Sequence, residues 1–146
     1  MKHVYLWTAL AIATLVAVIV LLRMNAPLYY PKVAIALPGN ITMTVIAQPW
    51  NSEAKCAQKY KAISASVSGK CLNCNIKASC LVALDMRESQ ALRGKAINRP
   101  VVYTTTAITI IDAETKEAMS ICNSIATQAT KEKIQHVRCI APEVTR

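Results

Sequence analysis

The chain of 146 residues has no phenylalanine, three glycines and two histidines, and each shortage narrows what the protein can be. Without Phe, and with aromatics at 5% of the residues, any core is built from Ile, Val, Leu, Ala and Met, which bury less area per residue than large rings. Such a core gains from covalent cross-links. Gly39, Gly69 and Gly94 stand alone, so there is no glycine-rich loop to cradle phosphates, and an ordinary nucleotide enzyme is not expected. His3 precedes an apolar run and leaves only His136, on a predicted strand, with no Gly-x-Ser-x-Gly turn to supply a nucleophile for it. Acids are also few. Asp112, Glu114 and Glu117 fall at the start of a predicted helix, where capping and the helix dipole account for them. Asp85 and Glu88 are too isolated to form a catalytic pair. No enzyme is expected, and no cofactor.

What the chain does contain is a long apolar run. Val4 to Leu22 gives 19 residues without a charge, about 28 Å as a helix, which matches a hydrocarbon core of ~30 Å. Tyr5 and Trp7 sit at its start and Leu28, Tyr29 and Tyr30 beyond its end, as in the aromatic belts of membrane spans. A cleavable signal peptide would have a shorter apolar region ending at a small-x-small site, and here Ala26 is followed by Pro27. An uncleaved single span is therefore expected. Ala9, Ala13 and Ala17 recur every four residues, a small-residue face through which two spans can approach as a homodimer.

Direction comes from the cysteines, because Lys2 on one side of the run and Arg23 and Lys32 on the other nearly balance. Cys56, Cys71, Cys74, Cys80, Cys122 and Cys139 all follow residue 50. An even number confined to one small domain is the product of an oxidising compartment. The expected organisation is a transmembrane anchor over 1–23, a connector over 24–40 rich in proline, and an extracytoplasmic domain over 41–146. Asn40-Ile41-Thr42 would be a glycosylation acceptor only in a eukaryotic secretory pathway.

Within that domain, Ile41 to Ile46 alternates apolar and polar residues, as a half-buried strand does. Asn51 or Ser52 can then cap a helix with Cys56, Tyr60 and Ile63 on one face. Leu72, Cys74 and Ile76 alternate like another strand. Val101 to Ile111 reads as a single strand, and Asp112 as the cap of a helix with Ala118, Cys122, Ile125, Ala126 and Ala129 on its inner face. A last strand runs over about 134–140. Strand, helix, strand thus occurs twice, with a less readable insert near 77–100, and predicts an α+β, ferredoxin-like sandwich. Each half carries a cysteine on its helix and another near the strand that follows. Cys122 is expected to pair with Cys139, closing 16 intervening residues with a link worth about 3 kcal/mol in the chain-entropy model. Cys56, Cys71, Cys74 and Cys80 leave three pairings open.

Cys71-Leu72-Asn73-Cys74 is the one motif with a reactive precedent, as a thiol-disulfide oxidoreductase pair. It leads into a strand-like run instead of a helix, so two framework cysteines bonded elsewhere is the favoured reading. Haem attachment would need His at position 75, which is Asn. A zinc site from Cys56, Cys71, Cys74 and Cys80 would need a cytoplasmic domain and lacks a second Cys-x-x-Cys or a His pair. No metal is expected.

Charge is lopsided within a formal net of +9. Residues 55–99 hold nine Lys or Arg against two acids, while residues 112–146 hold five of each sign. A basic half suggests an anionic glycan, lipid headgroup or protein partner, with Lys55, Lys59, Lys61, Lys70 and Lys77 as the candidate contacts. Nucleic acid is not expected, since no basic-aromatic platform is visible. Trp50 either packs between sheet and helix or offers a ring to a sugar or partner.

The segment Ala47-Gln48-Pro49-Trp50-Asn51-Ser52-Glu53-Ala54-Lys55-Cys56, with the later Cys71-x-x-Cys74 and Cys80, resembles single-span proteins of uncharacterised activity encoded with bacterial envelope-polysaccharide genes. The resemblance implies a bacterial inner-membrane protein whose C-terminal domain is periplasmic. The expectation is an accessory binding module of envelope biogenesis. An oxidoreductase, or an assembly partner acting through its span, is the alternative.

Overall fold

The computed structural model describes residues 14–18, 26–71, 73–134 and 136–143. Residues 14–18 are helical. The rest of the apolar run, with Ala9 and Ala13, lies outside the described residues, and among those described no helix is long and apolar enough to cross a membrane.

Among the described residues, six strands form one antiparallel sheet: β1 (Tyr30–Leu37), β2 (Ile41–Ala47), β3 (Asn75–Leu81), β4 (Val101–Tyr103), β5 (Ala107–Asp112) and β6 (Arg138–Ile140). Their spatial order is β3-β1-β2-β5-β4-β6. Among the described residues from 26 on, three helices accompany them: α1 (Glu53–Ser68), α2 (Met86–Leu92) and α3 (Thr115–Lys131). The chain therefore runs hairpin, helix, strand in one half and again in the other, with α2 inserted between. In each half the strand after the helix returns beside the first strand of its hairpin, and the halves meet where β2 pairs with β5.

This corrects the ferredoxin-like expectation in two places. Residues 30–37, read from their prolines as connector, form β1, which pairs on both sides with β2 and β3. Their alternation is that of a sheet strand, with Pro31, Val33 and Ile35 buried on one face. Pro38-Gly39-Asn40 turns the chain into β2, and Gly39 and Asn40 take positive φ of 85° and 60° there, a geometry that glycine and asparagine tolerate best. The stretch 101–111, read as one strand, is a hairpin. The Thr104 hydroxyl donates to the Ala107 carbonyl at 2.9 Å and accepts from the Ala107 N–H at 3.1 Å. This side-chain closure bends the chain with neither Gly nor Pro to mark it.

Strand alternation sorts the core into two layers. On one face Ile46, Val101, Tyr103, Ile108 and Ile110 pack with Ala91 of α2 and with Ile97. On the other, Val102 and Ile111 pack with Ala118 and Cys122 of α3, and Met43 joins them. The register carries this second face across to β1 and β3: Met43 is opposite Ile35, and Cys80 is opposite Pro31. Cys80 is bonded to Cys56 of α1, so α1 and α3 cover the same side. Each buried Ile or Val is worth about 1.5–3 kcal/mol, and here they do the work that Phe performs in other cores.

Candidate binding surface

All six cysteines are paired, as Cys56–Cys80, Cys71–Cys74 and Cys122–Cys139. Two bridges do the same task, tying the buried cysteine of a helix to the strand that closes its half. The third differs. Cys71 and Cys74 are bonded to each other, not elsewhere in the framework, because Asn73 between them adopts φ 68° and turns the chain back on itself. Both are half-buried. They follow the C-terminal end of α1, where the Cys71 N–H donates to the Val67 carbonyl at 3.0 Å. Carbonyl ends of a helix carry partial negative charge, which disfavours a thiolate.

Trp50 stands where β2 passes into α1. Its backbone is locked to Tyr29, each N–H donating to the other's carbonyl at 2.9 and 2.7 Å, while 39% of the residue stays exposed. The Lys55 ammonium lies 5.9 Å from its ring centroid, within reach of a cation–π attraction. Lys59 and Ala62 follow Lys55 at helical spacing, and with Gln58 and Trp50 they line a shallow depression of about 380 Å³. An indole face, two ammonium groups and an amide thus converge on one spot. The sequence named Trp50, Lys55 and Lys59; it missed Gln58 and Ala62, which the i, i+3 and i+7 spacing from Lys55 marks as lying on its side of the helix.

The other candidate lysines are dispersed. Lys61 is exposed on α1 outside that depression. Lys77 is exposed on β3, and as an alternate neighbour of Cys80 it points to the sheet face away from α1. Lys70 lies at a second concavity, about 600 Å³, between α1 and α3. Ile35 and Met43 floor it, with Val67, Ile125 and Ala129 on its walls and Cys71 at its edge.

His136 is not on a strand. It takes φ 57° in the turn before β6, which points to a loop role. Asp112 does not cap α3; Glu114 holds that position. The Asp112 carboxylate instead accepts from Arg99 Nε at 2.6 Å and lies 3.6 Å from Arg87. Among the described residues, no cluster of His, Cys, Asp or Glu could hold a metal ion. Comparison with known proteins found no matching family model, no similar curated protein and no similar solved structure.

Proposed function

We propose that the chain is a single-span protein of a bacterial inner membrane whose periplasmic domain is a non-enzymatic accessory module of envelope biogenesis, binding an anionic ligand at Trp50, Lys55 and Lys59. The observation that carries this reading is the half-open Trp50 ring with the Lys55 ammonium 5.9 Å from its centroid and Lys59 in the same depression. A flat apolar face beside two cations suits a ligand that is both anionic and partly apolar. The test uses the full chain with Trp7→Phe, so that Trp50 is the sole tryptophan, in nanodiscs of phosphatidylcholine. Sulfated dextran is expected to shift Trp50 emission, uncharged dextran to leave it unchanged, and Lys55→Glu with Lys59→Glu to abolish the response. A response equal in this double variant at every salt concentration would refute the reading.

One observation favours a second reading, a membrane-tethered thiol-disulfide oxidoreductase. Cys71 and Cys74 are bonded to each other at the edge of the apolar concavity, where a peptide could be presented to them. Their place at the carbonyl end of α1 weighs against it. Catalysed reduction of a disulfide peptide, lost in Cys71→Ser, is the deciding measurement.

A further inference from the structure

We propose that the end of the sheet where the chain enters the domain is a membrane-facing rim seated on an anionic bilayer surface. This rests on the binding-module reading above and names its partner.

Register assembles the rim. Tyr29 is bridged to Trp50 on one side. On the other, Tyr30 is paired with Leu81, so Val82 comes out beside Tyr29. Leu28, Trp50 and Val82 are 46%, 39% and 59% exposed. Among the described residues from 26 on, the large hydrophobics left this open are these three with Met86 and Ile134. Three apolar side chains held in water at one end of a small domain are explained if another surface covers them.

Chain length says which surface. Five residues, 23–27, separate Leu22 at the end of the apolar run from Leu28, and even fully extended they span only about 20 Å. With the run in a bilayer, the end that carries Leu28 stays within about 20 Å of the hydrocarbon boundary, close enough for this rim, and not the far end of the domain, to meet the headgroups. Tryptophan is the side chain best suited to that boundary, with an apolar ring and a polar N–H.

Charge sets the lipid type. Lys55 and Lys59 flank Trp50, and Arg138 is paired with Tyr103 at the same end of the sheet. That end is fixed by the turn after Tyr103, where the Thr106 carbonyl accepts from the Gln48 N–H at 3.1 Å. Glu53, at the first turn of α1, and Asp85, three residues beyond Val82, are acids on this side. At the opposite end, beside the Gly39-Asn40 turn, Asp112, Glu114 and Glu117 line one depression with Arg99, and Arg99 and Arg87 are already engaged by Asp112. Lys116 and Lys70 also lie toward that far end, so the lipid preference rests on the two lysines beside Trp50, which anionic headgroups attract.

The full chain with Trp7→Phe is reconstituted in vesicles of phosphatidylcholine and in an equal mixture with phosphatidylglycerol, both with brominated acyl chains. Bromine is expected to quench Trp50 in the mixed vesicles and much less in phosphatidylcholine alone. Salt should weaken the quenching, and Lys55→Glu with Lys59→Glu should lower the docked fraction about fivefold or more. Leu28→Ser with Val82→Ser should lower it too while leaving the unfolding midpoint in place, since both positions are exposed. Absence of quenching, or equal quenching in both lipids, overturns the rim. If Trp50 escapes lipid bromine yet responds to sulfated dextran, the rim is wrong and the binding-module reading stands. Failure to float with the vesicles, or loss of both responses, overturns both.

Discussion

Lys32 of β1 is ion-paired with Glu88 of α2, and the carboxylate is the buried partner: 5% of its side chain is exposed against 26% for the lysine. Glu88 also completes a capping box with Asp85, whose carboxylate accepts from the Glu88 N–H at 2.7 Å while Glu88 accepts from the Asp85 N–H at 3.3 Å. One side chain thus closes the start of α2 and fastens it to β1, within the insert that separates the two halves. Lys32→Met would leave the carboxylate buried without its cation. A fully buried pair broken in this way loses 3–5 kcal/mol; with the lysine partly in water, a loss of about 2 kcal/mol is expected in denaturant unfolding. Adding Glu88→Gln should recover part of that loss.

The three disulfides are expected to contribute unequally. Cys122–Cys139 and Cys56–Cys80 close separations of 17 and 24 residues, and replacing either pair by alanine should lower stability by about 3 kcal/mol on the chain-entropy model. Cys71–Cys74 closes a separation of 3 and joins no two elements. Its replacement should shift the urea midpoint far less than the other two. An equal shift for all three would show that the short bridge holds the end of α1 in place.

Tyr103 is buried beneath α2, its hydroxyl donating to the Ala91 carbonyl at 2.8 Å. Burial pushes its phenol above the ordinary value of 10.0, and the Arg138 guanidinium opposes that rise. The folded state therefore holds this proton more tightly than the unfolded chain does. The stability it contributes is complete below pH 10.0 and declines as pH rises through the folded-state value. Tyr103→Phe should lower stability at neutral pH by about 1 kcal/mol through the lost hydrogen bond, and should flatten the alkaline fall seen in unfolding curves of the parent chain.

The β4–β5 turn is closed by the Thr104 hydroxyl together with a backbone bond in which the Thr104 N–H donates to the Ala107 carbonyl at 2.9 Å. Thr104→Val keeps the shape of the side chain but removes both its bonds to Ala107. A loss of about 1 kcal/mol is expected, with faster amide exchange confined to the hairpin. Unchanged exchange at Ala107 would show that strand pairing alone closes the turn.

Much of this protein was legible from its residues alone. The charge-free run, the mixed α+β class, the two long helices and their buried Cys56 and Cys122 follow from local periodicity, because the spacing of apolar side chains reports which face of an element turns inward. The pairing of strands does not follow from it. Tyr30–Leu37 looked like connector because proline is rare inside sheets, yet Pro31 lies near the start of the strand and Pro38 just beyond its end. Val101–Ile111 looked continuous because its turn, closed by the Thr104 hydroxyl and backbone, contains neither glycine nor proline. The Cys122–Cys139 bridge follows from the placement of its cysteines on a helix and the strand after it, but which of Cys56, Cys71, Cys74 and Cys80 meet, and which lysines share a surface, is not encoded in local spacing. Lys55 and Lys77 belong to one basic stretch of sequence, but they lie on opposite sides of the sheet. Trp50 comes to rest beside the chain's point of entry only when β2 pairs with β1. Tertiary structure decided these matters because they depend on contacts between distant segments, whereas side-chain periodicity records only the burial of each segment by itself.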